Sequence, residues 1–258
     1  MKISYISDIH IEFIKDNRQR MFGRRVELSD IAELFAKKFN EQKCDFGVIA
    51  GDIGHCAAEI VQFLDIVDKL IGKKIFICLG NHDFWDMGRY FDRQPSFTWQ
   101  GRKVRALEEF FKQTISPEYM PNIELLTEGR VCHFGDLTII GDCGFAGFNP
   151  GFNASCGIYR NGLKDEETEM ALTIDWRDFQ NKYIKNIVEK EGRKLLVITH
   201  MSIAEWGGAA HPDVYYISGH IHDCKHGEAE QTVTDRYRGD APNGYEEVTF
   251  KFKTLEIK

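Results

Sequence analysis

The sequence predicts a layered α/β fold with parallel strand pairing, on three observations. Short apolar runs rich in β-branched residues recur along the chain, each ending in a polar or glycine-containing turn. Stretches with apolar residues at helical spacing fill the gaps between these runs. Strands that alternate with helices suit crossover connections, which parallel neighbours require.

The elements follow in order. Ile3–Ile6 is the first strand, closed by Ser7-Asp8, and Leu28, Ile31, Leu34, Phe35 and Phe39 then share one helical face. Phe46–Ala50 is the next strand, ended by Gly51-Asp52, and Ile60, Phe63, Leu64, Val67, Leu70 and Ile71 line the next helix. Ile75–Leu79 runs into Gly80-Asn81, and a third helical stripe covers Val104–Ile115. Leu137–Ile140 ends at Gly141-Asp142, and a fourth stripe covers Ile174–Val188. Leu195–Thr199 leads to His200 and Val214–Ser218 to Gly219-His220, while Val248–Leu255 alternates like a half-buried strand. This late part is less regular and reads as antiparallel. Phe84–Arg130, rich in aromatics and charge, and Phe145–Gly162, rich in Gly and Asn, interrupt the alternation. Both follow strand ends and read as insertions over one rim of the sheet, where long loops carry function.

The chain has 258 residues, 43% hydrophobic and 28% charged, ordinary for a globular protein. It reads as a single domain over 1–258 with a cap-like insertion at about 84–130. The net charge of −7 disfavours a generally basic nucleic-acid or membrane binder. No apolar run approaches the roughly 18 residues of a membrane span. The first residues, Met1-Lys2-Ile3-Ser4-Tyr5, lack the apolar region of a secretory signal. The seven cysteines include no CxxC pair and read as reduced thiols, so a cytoplasmic location is expected.

Polar residues cluster just past the strands: Asp8, His10, Asp52, Asn81, His82, His200, His220 and His222. In open α/β sheets the carboxyl edge of the strands is where ligands bind. Imidazole, carboxylate and amide oxygen suit Mn²⁺, Fe or Zn²⁺. Asp8-Ile9-His10 and His220-Ile221-His222 are i, i+2 pairs, whose side chains share a face if the backbone is extended. The set is too large for one tetrahedral ion. It suits two ions about 3.5–4 Å apart that share a carboxylate, and Asp52, standing alone between the pairs, is the natural bridge.

Asp8-Ile9-His10, Gly51-Asp52, Gly80-Asn81-His82-Asp83, His200 and Gly219-His220-Ile221-His222, in that order, resemble the motif series of the calcineurin-like metallophosphoesterases. The tail, Asn243-Gly244-Tyr245-Glu246-Glu247, resembles small bacterial and phage members. The resemblance implies a four-layer α/β/β/α sandwich and a binuclear site. Asp8, His10 and His222 would hold one divalent ion and Asn81, His200 and His220 the other, with Asp52 bridging. Mn²⁺ is the first expectation, with Fe, Zn²⁺ or Ni²⁺ as alternatives. A bridging hydroxide would attack phosphorus, His82 would stand beside the leaving oxygen, and Asp83 would orient His82.

The resemblance implies hydrolysis of a phosphomonoester or phosphodiester, with a small phosphate ester or a nucleotide as substrate. A nuclease or cyclic-nucleotide phosphodiesterase is the second enzyme reading, and a metal-binding scaffold without turnover is the reading of another class. Nucleic acid is not the favoured partner, no membrane is expected, and the oligomeric state is not legible. Ile53-Gly54-His55 follows Asp52 where protein phosphatases carry Asp-Arg-Gly, so the phosphate-binding arginine of that branch is missing. His82, not Arg, follows Asn81, which disfavours the lipid-A-pathway branch. His55 reads as a polar turn residue within reach of the metal rim. Asp142 reads as a strand-end residue, and Cys224 and His226 as incidental neighbours of His222. Arg18, Arg20, Arg24 and Arg25, and Arg89, Arg93, Arg102, Lys103 and Arg105, read as solvated faces. The second cluster is interleaved with Phe84, Trp85, Tyr90, Phe91, Phe97 and Trp99, and this mixture is the candidate for substrate selection.

Overall fold

In the second strand, Phe46, Val48 and Ala50 point to one side and Gly47 and Ile49 to the other, and both sides are buried. The same two-sided burial recurs in most strands, so each sheet must be covered on both faces. The computed structural model describes residues 1–22, 26–85, 102–127, 129–148, 157–158, 166–220, 232–234 and 250–257. Its strands are β1 (Lys2–Ile6), β2 (Phe46–Ala50), β3 (Ile75–Cys78), β4 (Ile123–Leu125), β5 (Val131–Phe134), β6 (Leu137–Asp142), β7 (Leu195–Thr199), β8 (Val214–Ser218), β9 (Thr232–Thr234) and β10 (Lys253–Glu256). The helices are α1 (Ile11–Phe22), α2 (Leu28–Asn40), α3 (Ala57–Leu70), α4 (Arg102–Thr114) and α5 (Glu166–Tyr183), the last continuing as a π-helical stretch, Ile184–Lys190.

Two five-stranded sheets result, in the orders β10-β1-β2-β3-β4 and β5-β6-β7-β8-β9. β1 to β4 are mutually parallel, as are β6 to β9, while β10 and β5 pair antiparallel at the other edges. Ile3, Tyr5, Phe46, Val48, Phe76 and Cys78 of the first sheet pack against Leu137, Ile139, Leu196, Ile198 and Ile217 of the second. The alternate residues, among them Ile49, Ile75, Ile77, Ile140, Val197 and Tyr216, pack in the core that holds the buried faces of α2, α3 and α5. The result is the four-layer α/β/β/α sandwich. Gly47 lets α2 close on the sheet, since a Cβ there would stand 2.7 Å or less from the Phe39 ring.

Several elements differ from the sequence reading. α1 buries Ile11 and Ile14 and then turns polar, so its apolar stripe is a single turn and too short to read. Val131–Phe134 and Leu137–Asp142 form a hairpin around Gly135-Asp136, with Gly135 at φ 61°. From the stretch read as a rim insertion, Ile123–Leu125 instead pairs parallel with β3 as an edge strand, and the packed helix α4 precedes it. The fourth helix starts at Glu166, before its apolar stripe, because Glu169, Thr173 and Gln180 are polar yet buried. The final strand begins at Lys253, since Phe250 and Phe252 meet the Phe35 ring of α2 edge-on instead. Residues 86–101, the Asn243–Glu247 tail, and the arginines at 24, 25, 89 and 93 lie outside the described residues.

Among the described residues, Cys44, Cys56, Cys78, Cys132 and Cys143 are free thiols. No described helix is long and apolar enough to cross a membrane.

Candidate metal centre

Parallel register brings the carboxyl ends of the central strands together. Ile6 faces Ile49 and Ala50 faces Cys78 in one sheet, and Thr199 faces Ser218 in the other. The loops beyond are tied laterally: Asp8 N–H donates to the Gly51 carbonyl, and His10 N–H to the Asp52 carbonyl, both at 3.0 Å. His220 N–H donates to Asp8 Oδ2 at 3.1 Å, which joins the two sheets at this edge.

The motif glycines make this closeness possible. A Cβ on Gly219 would stand 2.7 Å from the Ala50 carbonyl oxygen, and one on Gly51 2.7 Å from His200 Nδ1. One on Gly80 would overlap Asp52 itself. Among the described residues, the non-glycine positions with positive φ are Asp8 (54°), His10 (50°), Asp52 (53°), Phe145 (53°) and His220 (66°). Such backbone is costly for these residues, and it concentrates where function over-determines it. The i, i+2 logic for Asp8 and His10 therefore needs a different basis. Both are left-handed, not extended, yet Asp8 Oδ1 and His10 Nε2 still meet at 3.8 Å.

Two donor sets share Asp52. His200 Nε2 lies 2.8 Å from Asn81 Oδ1, 3.2 Å from His220 Nδ1 and 3.3 Å from Asp52 Oδ2. On the other side, His10 Nε2 lies 3.8 Å from both Asp8 Oδ1 and Asp52 Oδ2. Asp52, His200 and His220 thus form one group able to hold a cation, and Asp8, His10 and Asp52 another. His222 lies outside the described residues.

The outer contacts aim these donors. His200 Nδ1 lies 2.9 Å from the Ala50 carbonyl, which fixes the ring and leaves Nε2 facing the centre. Ser7 Oγ donates to Asp8 Oδ2 at 2.6 Å, and His82 N–H donates to Asp52 Oδ1 at 2.8 Å, leaving the other oxygen of each for the centre. Burial lowers the pKa of His200, but Asp52 outweighs it and the ring is raised to about 10. Burial pushes the Asp52 carboxyl up, yet His200 and His82 hold it well below its ordinary value. A buried anion that draws protons onto His200 and His10 is an environment made for positive charge. Nitrogen and oxygen donors with shielded, fixed orientations fit two divalent ions.

His82 stands at this rim, its Nε2 3.8 Å from Asp52 Oδ2. Asp83 does not orient it. The Asp83 carboxylate is consumed by backbone: Oδ1 accepts N–H from Ile53 and Gly54, each at 2.9 Å, and Oδ2 accepts N–H from Gly80 at 2.7 Å. A buried carboxylate one residue past His82 is better placed to tie two loops than to reach back to the ring. Burial and then Asp52 push its pKa up to about 7. Glu12 and His55 occupy the far side of the His82 ring instead.

Two more residues went unread as site residues in the sequence. Glu12 is two positions past His10, in a stretch whose apolar pattern is too short to read as a helix. Glu205, buried in the loop after His200, places Oε1 3.2 Å from His220 Nε2, and its Oε2 accepts the Ser202 N–H at 2.7 Å. Its only sequence signal is an acid in an otherwise apolar turn. Asp142 accepts its neighbour's amide, from Cys143 at 2.6 Å. His133 sits on β5 beside Thr138, and His211 accepts the Asp213 amide.

The sequence profile of the calcineurin-like phosphoesterases matches residues 1–224. No match is found among curated proteins. Among solved structures, the chain is similar to the phosphopantetheinyl hydrolase of Mycobacterium tuberculosis, with a TM-score of 0.50 and 12% identity over 91% of this chain and 88% of that one. It is also similar to a dimetal phosphatase of Danio rerio, with a TM-score of 0.44 and 12% identity over 92% and 87% of the two chains.

Proposed function

Because this chain belongs to the calcineurin-like phosphoesterase family, we propose that it hydrolyses a phosphomonoester or phosphodiester of a small molecule or nucleotide at a dinuclear centre. The single observation that carries this reading is the position of Asp52 Oδ2. It lies between His200 Nε2 at 3.3 Å and His10 Nε2 at 3.8 Å, one carboxylate common to two donor sets. Asp8, His10 and His222 would hold the first ion in this reading and Asn81, His200 and His220 the second, with Asp52 common to both. Mn²⁺ is the proposed metal. When bound, the two ions supply Lewis acidity to the phosphoryl oxygens and activate the attacking water.

The chain's own residues do the rest. His82 Nε2, 3.8 Å from Asp52 Oδ2, gives a proton to the leaving oxygen. Asp83 keeps the Gly51–Gly54 and Gly80 loops in register, so that Asp52 and Asn81 stay on their ions. Glu205 and the Ala50 carbonyl hold the second set of imidazoles in one orientation.

The test uses metal-stripped protein reloaded with Mn²⁺, assayed on a chromogenic phosphodiester and the matching monoester, with Asp52→Asn alongside. Turnover that disappears in the variant supports the reading, and the ratio of the two rates chooses mono- or diesterase. Two bound ions without turnover on these esters or on a nucleotide panel would favour a non-catalytic metal-binding scaffold.

A further inference from the structure

We propose that Glu12 and His55 position His82 for proton transfer, as a Glu–His pair gathered behind its Nδ1, where Glu12 and His82 both face His55 Nε2, in the place the sequence reading gives to Asp83. The inference rests on the reading of His82 as proton donor to the leaving oxygen.

The geometry is specific. His82 turns Nε2 toward the centre and Nδ1 away from it, where Nδ1 meets His55 Nε2 in a hydrogen-bond contact. Behind it, Glu12 Oε1 lies 2.8 Å from His55 Nε2 and 3.9 Å from His82 Nδ1. The other Glu12 oxygen accepts the backbone N–H of His55 at 3.2 Å, so the carboxylate ties the loop that carries the His55 ring. Gly54 lies against that carboxylate, and a Cβ there would be 3.3 Å from Glu12 Oε2. Trp85 stacks on the His82 ring at 3.6 Å between centroids, and the His10 ring meets it edge-on at 4.3 Å.

These contacts divide the work. Trp85 and His10 fix the plane of the His82 ring but do not choose which nitrogen faces the centre. A partner at Nδ1 does choose, because the bond made by one imidazole nitrogen sets the role of the other. A carboxylate behind the pair also places negative charge on the side away from the leaving group, the side that must balance a protonated ring. Three elements converge here, since Glu12 comes from α1, His55 from the loop after β2 and His82 from the turn after β3.

The test compares two aryl phosphate esters with the same phosphoryl group, one with a 4-nitrophenyl and one with a phenyl leaving group, on Mn²⁺-loaded enzyme. A poor leaving group needs the proton more. His55→Phe is expected to lower kcat on the phenyl ester about tenfold more than on the nitrophenyl ester, with KM within about twofold. Bound metal is expected to stay as in the parent. His82→Gln is expected to show the same pattern more strongly, and the double variant to lose no more than His82→Gln alone. His55→Gln, which keeps an N–H donor, is expected to recover part of the loss. If His55→Phe does not fold, His55→Gln and Glu12→Gln make the same comparison.

Equal losses on both esters, or additive losses in the double variant, would reduce His55 to a structural role and overturn the proposal. So would loss of one bound ion in His55→Phe, which would make the three side chains a cation site. Should His82→Gln alone discriminate between the esters, the proposal fails while the reading of His82 stands. Should it not discriminate either, both fail together.

Discussion

Gly80 and Asp52 touch so closely that no side chain fits between them: a Cβ on Gly80 would overlap both the Oδ1 and the backbone nitrogen of Asp52. The carboxylate common to both donor sets is thus set against a bare backbone. Asp83 draws that backbone in through the Gly80 N–H.

Gly80→Ala is therefore expected to displace Asp52 and to cost about 100-fold or more in turnover, the scale of a 1 Å misplacement. Its far-UV circular dichroism should match the parent. Near-parent activity at equal metal loading would mean that Asp52 can move without consequence.

Asp52→Asn keeps the shape and removes the shared charge. Bound metal is expected to fall from about two ions per chain toward none, with turnover falling in parallel. Elemental analysis after desalting is the measurement. Retention of both ions would mean that Asp52 is not the bridge.

Glu205→Gln isolates the support of one imidazole. Glu205 Oε1 stands 3.2 Å from His220 Nε2. Its loss is expected to weaken metal at the His200–His220 side by about 10- to 100-fold, the usual effect of losing such a partner. A metal titration should show one of the two binding steps shifted and the other in place. Two unshifted steps would contradict the assignment.

What could be read from the sequence follows from where the information lies. Candidate donors and their order at strand ends are local, so Asp8, His10, Asp52, Asn81, His200 and His220, with His82 beside them, are legible from short motifs. Six of the seven apolar runs form strands within one or two residues of their expected bounds. The contacts that aim the ligands are not local. Glu12 reaches His55 across 43 residues of chain, and His200 reaches Ala50 across 150. Asp83 shows the reverse error: adjacency to His82 suggested a partner, but three backbone amides compete for its two oxygens and win. Edge strands such as β4 carry few residues and a weak pattern, which is why that segment reads as loop.

The last prediction concerns stability, away from the metal. Glu169 on α5 is 1% exposed, and it accepts the Ala146 N–H at 3.2 Å. Burial raises its pKa to about 7 from an ordinary 4.5, and the amides of Ala146 and Ile158 only partly offset this. The folded state therefore holds a proton that the unfolded chain has released between these two values. Over that window the unfolded state binds fewer protons, so stability falls as pH rises, and it levels off above about 7. A shift of this size corresponds to about 3 kcal/mol. Glu169→Gln stays neutral throughout, so its Tm should lose this decline between pH 4.5 and 7 and exceed the parent's at pH 8. Metal-free protein should be used for both, so that metal binding does not add its own pH dependence. Parallel Tm profiles for parent and variant would show that Glu169 is ionised in the folded protein and that the amides of Ala146 and Ile158 outweigh its burial.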